Sequence, residues 1–61
     1  MRPPPPPSGV IVEFTRRGAF LKCAAVHEAT GIEVSAIGPA SEPRALERIA
    51  LAKLQRALAA R

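Results

Sequence analysis

Two short turn-forming segments, Arg17-Gly18 and His27-Glu28-Ala29-Thr30 closed by Gly31, separate three stretches of strand length near the start of this 61-residue chain. Pairing neighbouring stretches around those turns predicts three rungs on one face: Val10–Ala25–Ile32, Val12–Cys23–Val34 and Phe14–Leu21–Ala36, all apolar. The opposite face collects Ile11–Ala24–Glu33, Glu13–Lys22–Ser35 and Thr15–Phe20–Ile37, a mixed set. Side chains alternate along a strand, so a slip of one residue would move every apolar group to the wrong face. The spacing therefore predicts strands over 10–16, 19–26 and 32–37. Arg17-Gly18 is read as a two-residue hairpin loop, Gly31 is suited to the positive φ that closes a four-residue loop, and Gly38-Pro39 is read as the end of the third strand.

A helix is predicted to follow. Ser41 is the candidate N-cap, with Glu42 in the favourable first turn and Pro43 where a missing N–H costs nothing. From Ala45 to Ala60 nearly every residue is a strong helix former. Leu46, Ile49, Ala50, Leu54, Ala57 and Leu58 recur at the spacing of one face, while Arg44, Arg48, Gln55 and Arg56 fall on the other. The expected core is Val10, Val12, Phe14, Leu21, Val34, Leu46, Ile49, Leu54 and Leu58. An antiparallel sheet with one face covered and one exposed gives an α+β fold: a three-stranded meander followed by one C-terminal helix packed on one face, β-β-β-α.

Five consecutive prolines, 3–7, precede the sheet. Proline fixes φ and lacks an N–H, so the run is expected as an extended polyproline rod of about 15 Å. Residues 1–9 are read as a disordered proline-rich tail and 10–61 as a single domain. A domain this short buries only about 60% of the surface its unfolded chain exposes, which leaves it marginal. One cysteine permits no internal disulfide, so association with another surface is the expected support. The formal charge is +4, and 41–61 carries much of it through Arg44, Arg48, Lys53, Arg56 and Arg61 against Glu42 and Glu47. Its apolar runs are too short to span a membrane, and no signal-peptide hydrophobic region follows Met1. Together with a lone cysteine, this points to a cytoplasmic protein.

No catalytic constellation is visible. Cys23 is assigned to the core as a small hydrophobe, and His27 to a loop, where its ring caps the turn or faces water. There is no Gly-rich phosphate loop and no metal-ligand spacing. The expectation is a non-enzymatic chain with no cofactor, no metal and no small-molecule substrate. The mixed sheet face is the candidate protein contact, through Phe20, Ile37, Ile11 and Thr15, with Phe20 and Ile37 expected on one rung. Arg44, Arg48 and Arg56 are the candidate nucleic-acid contacts.

Two resemblances rest on these segments. Val12-Glu13-Phe14-Thr15-Arg16, Leu21-Lys22-Cys23-Ala24-Ala25-Val26, Ala29-Thr30-Gly31-Ile32-Glu33-Val34-Ser35 and Leu46-Glu47-Arg48-Ile49-Ala50-Leu51-Ala52-Lys53-Leu54 are similar to the motifs of a family of roughly sixty-residue bacterial proteins of unknown function. That resemblance covers 12–58 and implies three strands and a helix, with no activity to carry over. Some members bear a serine hydroxymethyltransferase label, and this chain is too short for that cofactor-dependent fold. Three strands and an Ala-rich helix also resemble the later half of double-stranded-RNA-binding domains, which implies phosphate contact at the start of the helix. Here Ser41-Glu42-Pro43-Arg44-Ala45-Leu46 has Glu and Pro where that family carries lysines. The preferred expectation is a small interaction module or accessory subunit, self-associating or bound to a protein partner. The alternative is a nucleic-acid-binding module.

Overall fold

The computed structural model describes residues 9–60. It contains β1 (Val10–Arg17), β2 (Phe20–His27), β3 (Glu33–Pro39) and α1 (Pro43–Ala59), in that order. The strands form one antiparallel sheet with β2 in the centre, and α1 packs on one face of it against β2 and β3. The expected β-β-β-α arrangement is the fold. The proline run at 3–7 and its expected tail lie outside the described residues. Gly9 is described, and its carbonyl accepts the Glu28 N–H at 2.9 Å, beside the first residue of β1.

Both faces keep the predicted membership, but both registers are displaced by two residues. Glu13 lies opposite Ala24 instead of Lys22, and Cys23 sits between Phe14 and Ala36 instead of between Val12 and Val34. The cause lies in the turns. Arg17 pairs with Phe20, so the first turn is Gly18-Ala19 with Gly18 leading at φ +58°, and among the described residues none other than glycine takes a positive φ. Arg17-Gly18 as the turn would have matched glycine to its second position, where the favoured two-residue turn requires positive φ at both. Arg17 would then carry a strained backbone. Moving the turn by one residue places glycine alone in the left-handed region, which fits the turn type with Gly first.

The second turn moves in the same way. Its four residues are Glu28, Ala29, Thr30 and Gly31, with Gly31 at φ +75° inside the turn. The Gly31 N–H donates to the His27 carbonyl at 2.8 Å, and the His27 N–H donates to the Ile32 carbonyl at 2.9 Å. His27 is the last residue of β2 instead of the first of the loop, and its Nδ1 lies 2.9 Å from the Thr30 hydroxyl, so the ring still reaches across the turn. The Ile32 N–H donates to the same hydroxyl at 3.3 Å. Each turn shifted by one residue moves its pairing by two, which preserves the faces.

β3 runs through Gly38 and Pro39 instead of stopping before them. The Ala40 N–H donates to the Ala19 carbonyl at 2.8 Å, so the preceding nitrogen, that of Pro39, points to the open edge, where no donor is needed. Gly38 faces the helix, and a Cβ there would stand 3.2 Å from Leu46 Cδ1.

The helix begins one residue later than the sequence suggests. Glu42, not Ser41, is the N-cap, and it makes no side-chain capping bond. Its carbonyl accepts the Leu46 N–H at 3.1 Å. Proline disfavours a helical residue before it, so Pro43 becomes the first helical residue and Glu42 is left outside. No acidic residue occupies the first turn.

Leu21, Cys23, Ala25, Leu46, Ala50 and Leu54 form the buried core, with Val10, Val12, Val34, Leu51 and Leu58 among the partly buried residues packed on it. Two expected core members are not in it. Ile49 is 54% exposed, because it stands about 120° around the helix from the centre of the 46/50/54/58 stripe. Phe14 is 37% exposed: α1 lies over β2 and β3 and leaves the outer part of β1 uncovered. Glu47, counted in the sequence only as a charge of the helical segment, is buried at 6% exposure. It stands only about 40° from the centre of the same stripe.

Candidate functional site

The face of the sheet turned away from α1 has four rungs: Ile11–Val26–Glu33, Glu13–Ala24–Ser35, Thr15–Lys22–Ile37 and Arg17–Phe20–Pro39. Phe20 and Ile37 therefore do not share a rung. They are diagonal neighbours, still within reach of one another's side chains. Thr15, Arg17, Phe20, Lys22 and Ile37 line a shallow depression of about 420 Å³ at this end of the face. Ile37 is 72% exposed, Phe20 61% and Ile11 45%. Ile11 lies on the far rung, apart from the depression, so three of the four candidate contact residues are brought together and one is not.

Local chemistry explains why this face is open and stays in place. Alternation puts Leu21, Cys23 and Ala25 under the helix and Phe20, Lys22, Ala24 and Val26 on the other side. At the end of the first hairpin, Arg16 Nε donates to the Gly18 carbonyl at 3.0 Å and ties down the turn beneath Phe20 and Arg17. On the β3 edge, Lys53 of α1 reaches the Ser35 carbonyl and occupies an acceptor that the edge strand would otherwise present to another chain.

The helix carries the other candidates. Arg44 and Arg48 are exposed and line, with Glu47 and Leu51, a cavity of about 330 Å³ on the flank of α1. Arg56 is exposed two turns further on and belongs to the last turn of the helix, where its charge complements the dipole. The three arginines do not form one cluster, and a carboxylate shares the cavity of the first two. Glu47 also acts on the core: burial, and secondarily the charge of Glu47, push the Cys23 thiol pKa upward. Cys23 is fully buried, so its environment favours the neutral thiol over the reactive thiolate.

Among the described residues, no group of three or more His, Cys, Asp or Glu side chains could hold a metal ion. No helix among them is long and apolar enough to cross a membrane. Arg17 lines the open face's depression, a place that its apparent position in the turn hides in the sequence. For the burial of Glu47, its position on the helical wheel was the available signal.

Residues 7–61 match the sequence profile of a domain of unknown function, DUF6898. No curated protein and no solved structure gives a match.

Proposed function

The chain belongs to the DUF6898 family of domains of unknown function, and we propose that it is a small non-enzymatic association module whose contact surface is the open sheet face. The observation that carries this reading is the pair Phe20 and Ile37, two large apolar side chains more than half exposed and side by side over one depression. Isolated exposed apolar residues are ordinary, whereas a contiguous apolar patch on a domain with so small a core gains stability when covered. The nucleic-acid alternative draws less support. Arg44 and Arg48 share their cavity with Glu47, which repels phosphate, and neither Phe14 nor Phe20 lies on α1 to stack a base beside them. The buried thiol of Cys23 suits a reducing compartment, so we place the module in the cytoplasm, which cell fractionation would check.

Site-specific crosslinking in the native cell tests the reading. A photoreactive residue replacing Ile37 should give a protein adduct, and the same residue replacing Arg48 should give none. Adducts at position 48 but not at 37 would overturn it.

A further inference from the structure

The open face is electrically polarised along its strands. Its carboxylates, Glu13 and Glu33, lie in the first two rungs, and its cations, Lys22 and Arg17, lie in the last two; all four are exposed. Phe20 marks the cationic end of β2, and the smaller apolar Ala24 and Val26 occupy its anionic half.

Resting on the reading of this face as a contact surface, we propose that its occupant is a second copy of the same chain, packed face to face about a two-fold axis perpendicular to the strands. A symmetric dimer presents one patch to itself, so the patch must be self-complementary under the operator that relates the copies. An axis parallel to the strands would lay the Lys22 and Arg17 end over the same end of the second copy, and the Glu13 and Glu33 end over its like. Facing like charges are strongly unfavourable in a desolvated contact. The perpendicular axis, passing between the second and third rungs, lays each cationic end over an anionic end, twice. It also sets Phe20 over Val26 of the second copy and beside its Ala24, so the ring packs on apolar side chains. Sheets stacked in this way sit about 10 Å apart, with their strands turned by about 30°.

The size of the face sets the strength. Two strands of eight residues and one of seven, about 4.8 Å apart at about 3.3 Å per residue, give roughly 360 Å² in projection. Stable complexes bury about 800 Å² per partner, so this dimer is weak and forms with rising concentration.

Sedimentation equilibrium on the full chain and two charge-reversed variants tests the arrangement. One variant, Arg17→Glu with Lys22→Glu, makes the face wholly anionic; the other, Glu13→Lys with Glu33→Lys, makes it wholly cationic. All four positions are exposed, and circular dichroism verifies that each variant folds. The parent should dimerise, each variant alone should associate at least about tenfold more weakly, and an equimolar mixture should recover association as a mixed dimer. A mixture that associates no better than its components overturns the proposal. A parent that stays monomeric at millimolar concentration also overturns it, while the contact-surface reading then stands or falls on its crosslinks. Dimers insensitive to charge but dissociated by Phe20→Ser with Ile37→Thr would retain the contact face and refute the two-fold arrangement. Dimers insensitive to every one of these changes would refute both.

Discussion

Gly18 and Gly31 hold the two turns at φ +58° and +75°, where a residue with a Cβ loses about 1–2 kcal/mol. A Cβ added at either position meets nothing within 4 Å, so backbone strain alone sets the effect. Gly18→Ala and Gly31→Ala should each lower stability by about 1 kcal/mol in urea denaturation, without a change of fold. Cys23 gives a pH prediction. Its folded pKa is raised, chiefly by burial, so the folded state holds the thiol proton more tightly than the unfolded chain does. The stability this confers is fully present below the unfolded pKa of about 8.5 and is lost as pH rises from there through the folded pKa. Thermal melts of the parent should therefore weaken above that pH, and Cys23→Ala should remove that component of the alkaline loss. In native conditions a thiol reagent should modify Cys23 only as fast as the core opens, because the side chain is fully buried.

Which side chains share a face was legible in the element sequences, because alternation survives any register shift by two. The register itself was not. It depends on which turn residue takes the left-handed conformation, and that choice follows from the strain at Arg17 more than from the apolar pattern. The helix shows the same division. Its existence and stripe were legible from Leu46, Ala50, Leu54 and Leu58, whereas including Ile49 stretched the stripe beyond what a narrow sheet covers. Leu54→Asp should unfold the domain, since it buries an unpaired charge at a site only 2% exposed. Ile49→Asn should shift stability by no more than about 0.5 kcal/mol, with both variants compared by thermal melting. Ser41→Ala should likewise have little effect, because the cap is Glu42 and uses no side-chain bond.

At the scale of the whole molecule, one helix covers one face of one sheet, and the other face is left with its most exposed apolar groups at the cationic end. Part of this surface was legible, since Thr15, Phe20 and Ile37 were assigned to it. Its polarity was not, because the displaced register removes the expected Glu13–Lys22 neighbours and separates anions from cations by rung. The association proposed for that face is read most directly from amide and methyl NMR shifts of the full chain over a dilution series from millimolar to micromolar. Concentration should move the signals of Ile11, Glu13, Lys22, Phe20 and Ile37 and leave those of Cys23, Ala50 and Leu54 in place. Spectra unchanged across the series, or shifts centred on Arg44, Arg48 and Arg56, would contradict it.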